Sequence, residues 1–405
     1  MPAVMTKIDD RILIVGAGPV GLTCAYSLAL AGIPVTVLER EPDVPVDLRA
    51  TTWHPPSLDF MDDLGVADHL IAHGHQAPTW QQRIKETGER AVFDLGILRG
   101  ETRHPYRLQC EQVHAVRFLT ERLLEIDPSS VRFGATVSSI GHDETGVSVT
   151  VDRGDGYTEL TGRYLVGADG AHSIVRKTLG LEFTGKTYET LLLVATIGDF
   201  PFEDHHEDLS DVNYVWSDEG SFSLLRVPGK WRSGIRPRPG RPPEDSLTDE
   251  ALQEHFNAIV PREDAYDVQA RGMYRVHQRV TERFSVGRVA LAGDAAHLNS
   301  PNGGMGMNCG IHDAVNLADK LKQIWHGGSV ELLDLYDRQR RPVATKYVNE
   351  HADKNHRRMQ VRDRDERQAI LADLQETAAD PEKAKAFLMR SSMIAGVREA
   401  AAVGP

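Results

Sequence analysis

The hydrophobic pattern begins with a short apolar run, Arg11 to Val15, followed at once by Gly-Ala-Gly-Pro-Val-Gly and an Ala/Leu-rich stretch to Ala31. That order predicts a buried strand, a tight glycine turn and a helix. After Gly32, the run Ile33 to Leu38 predicts a second buried strand ending in Glu39, which completes a parallel βαβ unit. Alternating segments at Arg132–Ile140, Val147–Val151 and Glu159–Val166 predict a small antiparallel meander on the same unit, closing in Gly-Ala-Asp-Gly. Residues 76–100 and 183–274 alternate apolar and polar positions between many turn residues, and with Trp80, Trp216 and Trp231 they predict a second sheet. From Arg288 to Leu321 the pattern returns to strand, glycine-rich loop and helix, so the first unit resumes there. Beyond Arg341 charged residues crowd the chain, densely from His351 to Lys385, and predict a solvated or dimer-flanking helix.

Composition narrows the function more than the fold. The 405 residues, 40% apolar and 26% charged, suffice for two cores in a globular chain. A formal charge of −13 makes an acidic surface that repels phosphate backbones and anionic lipid headgroups, so neither nucleic acid nor membrane is an expected partner. No apolar run approaches the roughly 20 residues that span a bilayer, and residues 1–10 lack a signal-peptide layout. Cys24, Cys110 and Cys309 are odd in number and far apart, which indicates neither a disulfide framework nor a metal pair. A cytoplasmic, reducing setting without a metal is the expectation.

Gly16, Gly18 and Gly21 fit GxGxxG, a turn whose backbone can approach a pyrophosphate while a helix N-terminus points at its charge. Glu39 stands where a carboxylate can accept hydrogen bonds from ribose hydroxyls. Alone, this motif leaves FAD, NAD and an empty glycine turn open. Two further glycine-acid stretches follow: Tyr164 to Arg176, containing Gly-Ala-Asp-Gly, and Gly287 to Asn308, containing Gly-Asp-Ala-Ala-His and Pro-Asn-Gly-Gly-Met-Gly-Met-Asn. With three such motifs in order, the chain resembles, over roughly residues 11–345, the class A single-component FAD-dependent aromatic hydroxylases typified by para-hydroxybenzoate hydroxylase.

The resemblance implies an α/β fold: a Rossmann-like FAD-binding domain (1–75, 101–182 and 275–345), an inserted mixed-sheet substrate domain (76–100 and 183–274) and a C-terminal helical region (346–405). It places Gly16, Gly18 and Gly21 under the FAD pyrophosphate, Glu39 on the adenosine ribose, and Arg40 and Val137 beside the adenosine. Arg49 falls near the pyrophosphate, Gln112 at the ribityl region and Asp294 on the ribityl hydroxyls. Asp169 is implied to serve both FAD and the passing nicotinamide nucleotide, with Arg176 ordering its loop. Pro301 would turn its carbonyl to the reaction site, Gly303, Gly304 and Gly306 would admit backbone amides to the isoalloxazine, and Met307 and Asn308 would supply donors. Without the resemblance, Arg49 also reads as a surface arginine, Gln112 as a helix-start residue, Asp169 as a turn-holding acid and His297 as a loop-fixing histidine.

In that family NADH or NADPH reduces FAD, O2 forms a hydroperoxide at flavin carbon 4a, and an electron-rich ring takes its distal oxygen. The expected substrate is therefore a phenolic or hydroxypyridine-type acid, and a histidine or tyrosine within hydrogen-bond reach would help ionise it. His54 and Tyr214 are the candidates, each also readable as a packed or surface residue. Arg226 and Arg236 on the inserted sheet are candidate clamps for an anionic substituent, or ordinary strand-edge charges. That sheet departs from the substrate-carboxylate pattern of para-hydroxybenzoate hydroxylase. The resemblance also implies a homodimer. A flavin-linked reductase without oxygen insertion and a non-catalytic flavin-binding protein remain the alternatives, whereas a flavin-dependent halogenase lacks its Trp-x-Trp-x-x-Pro signature here.

Overall fold

The computed structural model describes residues 8–44, 50–154, 156–198, 200–201, 209–236 and 242–404. Ile12–Val15 is buried along its whole length and pairs in parallel with Val35–Leu38 on one side and Tyr164–Gly167 on the other. These strands lie inside a six-stranded sheet in the order Ser285–Val286, Val289–Leu291, Tyr164–Gly167, Ile12–Val15, Val35–Leu38, Val131–Arg132. Such a sheet is covered on both faces, which is why its strands read as unbroken apolar runs. Helix Pro19–Ala29 and the long helix Met305–Trp325 pack together over it. Pro19 starts the first of these because its missing N–H is one that a first helical turn leaves unpaired anyway.

The meander comprises Thr136–His142, Val147–Asp152 and Tyr157–Gly162. The third segment differs from the expected Glu159–Val166, because the chain breaks at Arg163, whose N–H donates to Arg11 O, and Tyr164 then enters the parallel sheet.

The second sheet has eight strands, ordered His297–Leu298, Val268–Thr281, Phe183–Ile197, Lys230–Ile235, Phe222–Val227, Val212–Trp216, Thr79–Ile84, Arg90–Asp94. Trp80, Trp216 and Trp231 all lie in it. Its period-two pattern sorts side chains cleanly. Leu193, Ala195, Phe222, Leu224 and Trp231 pack with Leu252 and Phe256 of helix Asp249–Ile259. Leu192, Val194, Ser223, Leu225 and Gly234 point the other way, into a cleft. The charged C-terminal stretch is not a solvated appendage. Leu371, Leu374 and Leu388, on helices Arg364–Ala379 and Pro381–Ser391, cover Trp80, Phe93 and Trp216 at the far end of the sheet. Their helical spacing gives these helices an apolar stripe despite the charge around it. Among the described residues no helix is long and apolar enough to cross a membrane.

Candidate active site

A cleft of about 800 Å³ opens between the two sheets, and the glycine-acid motifs meet on its wall. Gly16 adopts φ +103°, and a Cβ there would sit 2.4 Å from Ala168 O, so the first motif is in backbone contact with the second. A Cβ on Gly21 would sit 2.1 Å from Gly16 O, which makes that glycine a packing requirement inside the helix. Gly18 is different: a Cβ would meet nothing within 4 Å, and the residue faces the cleft. As N-cap of helix Pro19–Ala29 it offers no side chain to the first-turn amides, so those donors remain for an anion. An open space at the one glycine beside a bare helix N-terminus fits a bound pyrophosphate.

Glu39 is 8% exposed; its carboxylate accepts from Ala17 N at 2.7 Å and Glu41 N at 3.0 Å, which fixes it in the cleft wall. Arg40 lies at the rim beside Glu41, and Val137 and Gln112, the latter opening helix Gln112–Ile126, also line the cleft. Arg49 lies outside the described residues. Asp169 lines the cleft, yet its carboxylate is engaged at the start of helix Ile174–Thr178, accepting from Ser173 Oγ at 2.6 Å and Ile174 N at 2.7 Å. Arg176 donates to Ala171 O at 2.9 Å and Ala295 O at 2.8 Å, tying the second motif to the third.

In the third motif, Asp294 sits on the turn Gly293–Ala295 just after strand Val289–Leu291 and lines the cleft. Beneath it Asp313, fully buried, accepts from Gly293 N at 3.1 Å, His297 Nε2 at 2.7 Å and Arg340 Nε at 2.7 Å. Burial alone would lower the His297 pKa, but Cys309 and Asp313 outweigh it and hold the imidazole well above its ordinary value. His297 is thereby fixed within this hub by its contact with Asp313. Pro301 O accepts from Gly304 N at 3.0 Å, and Gly303 and Gly304 take φ +100° and +68° to turn the chain into helix Met305–Trp325. Pro301, Gly303, Gly304, Gly306 and Met307 all line the cleft. Asn308 does not: it is fully buried, donates to Gly304 O and Thr52 O, and accepts from His54 N at 2.8 Å.

Three expectations for the substrate side need correction. His54 is 0% exposed and donates from Nε2 to Gly303 O at 2.7 Å. Burial, followed by the nearby Arg107 charge, pushes its pKa down to about 3. Off the cleft lining, it braces the glycine loop from beneath, and the structure gives it no contact with the substrate side. Arg226 shares the strand parity of Phe222 and Leu224 and reaches Asp211 Oδ1 at 3.5 Å, off the cleft. Arg236 lies just past the end of its strand, donates to His356 O at 3.4 Å, and lines a separate small pocket with Phe222 and His255. Tyr214, by contrast, does line the cleft. So does Arg232, a residue the sequence reading missed; it is 3% exposed and its Nη2 lies 3.0 Å from Glu111 Oε1. Alternation along Lys230–Ile235 is the signal that separates Arg232 and Gly234 from Trp231 and Ile235.

A family model described as an FAD binding domain matches residues 9–351. The chain is 34% identical over 356 residues to 6-hydroxy-3-succinoylpyridine 3-monooxygenase of Pseudomonas putida (strain DSM 28022 / S16), covering 87% of this chain and 90% of the relative. It is 32% identical over 400 residues to para-nitrophenol 4-monooxygenase of Pseudomonas sp. (strain WBC-3), covering 96% and 97%. The crystal structure of p-nitrophenol 4-monooxygenase from Pseudomonas putida DLL-E4 superposes with a TM-score of 0.88 at 30% identity, covering 96% of this chain and 98% of that one.

Proposed function

Because the chain belongs to the FAD-binding-domain family of flavin-dependent aromatic monooxygenases, we propose that it hydroxylates a phenolic or hydroxypyridine-type acid with NADH or NADPH and O2. The observation that carries this reading is the cleft itself, where three separate glycine-acid motifs meet an inserted sheet on one 800 Å³ space. In the names of both relatives the oxygenated position is para to a ring hydroxyl, and that relation is the regiochemistry we propose here.

When bound, FAD supplies the electron relay from nicotinamide and the activation of O2. The protein's own residues have separable tasks. Gly18 and the first-turn amides of Pro19–Ala29 would hold the pyrophosphate, Glu39 the adenosine ribose, and Asp294 the ribityl hydroxyls. Arg40 and Val137 would flank the adenosine, and Gln112 the ribityl chain. Amides at the start of Met305–Trp325 would meet negative charge on a bound flavin with the positive end of a helix dipole. Asp169 serves the site through the loop it holds. Leu192, Val194 and Leu225 present an apolar wall that excludes water. A reducing, cytosolic setting suits the three free, buried cysteines Cys24, Cys110 and Cys309.

The test is a screen of hydroxylated benzoates and hydroxypyridine acids for stimulated NAD(P)H oxidation by FAD-loaded protein, with mass spectrometry for one added oxygen. Flavin reduction that never couples to oxygen insertion would leave a reductase in its place.

A further inference from the structure

Away from the cleft, three imidazoles meet where two helices pack. His69 and His73 stand four residues apart on helix Ala67–His73 and so share a face, and His114 meets them from the first turn of helix Gln112–Ile126. One ligand nitrogen of each lies within 4.8 Å of the other two. The His73 ring centroid is 4.3 Å from that of His69 and 4.8 Å from that of His114, and His69 stacks in turn on Phe118 at 4.4 Å. His73 is exposed and the other two are half-buried, so the cluster opens to solvent. None of the three lines the cleft; Gln112 and Val116 do, from the other side of the helix that carries His114.

The rings are prepared as ligands. His73 Nδ1 lies 2.8 Å from His69 O; a carbonyl only accepts, so Nδ1 carries the proton and Nε2 holds the lone pair. A backbone carbonyl on the second ring nitrogen is a common way of orienting a metal-binding histidine. Burial, followed by the charge of His73, holds the pKa of both His69 and His114 below the ordinary value, which keeps those rings unprotonated at neutral pH. Glu121 beside His69 favours a cation, Arg117 and Lys230 beside His114 oppose one, and Glu111 is already paired with Lys230 and Arg232. With these charges opposed, recognition falls to the ring nitrogens. Two ligands bonded to zinc at about 2.0–2.1 Å and a tetrahedral angle lie roughly 3.4 Å apart, and rotation of the exposed His73 side chain can close the difference. A second trio among the described residues, His297, Cys309 and Asp313, is fully buried, and its carboxylate is already taken by Arg340.

We infer that His69, His73 and His114 bind one divalent transition-metal ion, with zinc as the reference case, and that the ion ties helix Ala67–His73 to helix Gln112–Ile126. Imidazole nitrogen suits zinc, copper and nickel, whereas calcium and magnesium take oxygen ligands. Three protein ligands leave a coordination position for water on the exposed side. The ion takes no part in flavin chemistry; it braces the back of the helix whose other side presents Gln112 and Val116 to the cleft.

The experiment is a calorimetric titration of zinc chloride into FAD-loaded enzyme that carries no polyhistidine tag and has been stripped with a chelator. One zinc per chain is expected, together with a higher melting temperature. His73→Ala and His114→Gln should each weaken binding about tenfold or more, and His73→Ala should abolish the gain in melting temperature. His73 is exposed, so its variant keeps the test open if His114→Gln fails to fold. His326→Gln, an exposed histidine beyond helix Met305–Trp325, should bind zinc as the wild type does. Cobalt(II) in place of zinc should give a visible absorption band that His73→Ala weakens or removes. No stoichiometric zinc binding, or His73→Ala and His114→Gln proteins that bind it like the wild type, would overturn the assignment and leave the three rings as an aromatic stack. No turnover is involved, so the monooxygenase reading stands or falls separately, on oxygen insertion.

Discussion

Replacing Gly21 and Gly18 separately by alanine should divide folding from flavin binding. In an ordinary exposed helix interior, Gly→Ala gains about 0.5–1 kcal/mol. At Gly21 the new Cβ would lie 2.1 Å from Gly16 O, a backbone atom of the turn on which the whole motif depends. Overpacking of this kind costs about 1–3 kcal/mol, and the helix gain offsets only part of it. Apoprotein carrying Gly21→Ala is therefore expected to melt roughly 1–3 °C lower. At Gly18 the backbone is extended (φ −74°, ψ 176°) and nothing lies within 4 Å, so alanine costs the fold only the modest N-cap preference, about 0.5 kcal/mol. The same methyl group enters the space assigned to the pyrophosphate, and FAD affinity should fall about tenfold or more, about 1.4 kcal/mol. Circular-dichroism melts of apoprotein and flavin-fluorescence quenching give the two readouts. A Gly21→Ala protein more stable than wild type, or a Gly18→Ala protein that binds FAD normally, would refute the argument.

Asp294→Ala should weaken FAD retention about tenfold or more, measured by equilibrium dialysis, and unchanged affinity would show that the ribityl contact is misplaced. Stability should also depend on His54. Its folded pKa of about 3 lies below the ordinary 6.5, so between those values the unfolded chain binds a proton that the folded one refuses. Stability is then complete above pH 6.5 and falls as pH drops toward 3, at up to about 1.4 kcal/mol per pH unit for this group. His54→Gln, which can retain a donor to Gly303 O, should flatten that part of the profile in urea titrations; identical profiles would contradict the burial argument.

The opening βαβ unit was legible because its strands are buried on both faces and its glycines act over a few residues, a distance at which sequence and geometry coincide. The C-terminal helices were not, since Leu371, Leu374 and Leu388 are a sparse stripe among charges, and only the exposed end of a sheet shows what they cover. The boundary drawn between 274 and 275 falls inside strand Val268–Thr281, which pairs with Phe183–Ile197 on both sides of that point, with a register irregularity between Thr187 and Leu191. In the site, spacing picked out residues that line the cleft, whereas Arg232 enters it from the inserted sheet with no local motif. His54 was readable either as a substrate-side candidate or as a packed residue; its inward turn depends on Gly303 O, far along the chain. Arg226 was separable from Arg232 by strand parity alone, a signal present in the sequence once the register is known.

The strand His297–Leu298 has a practical consequence for anyone recombining relatives of this enzyme. It pairs with Arg279 and Val280 at the edge of the inserted sheet, yet it lies between Asp294 and Pro301 on the cofactor side. A transplanted insert cut at its apparent ends would arrive with its outermost pairing left in the host. Chimeras should therefore carry residues 297 and 298 with the donor sheet, or keep the recipient's Arg279–Val280 register, so that the graft does not drag the glycine loop out of place.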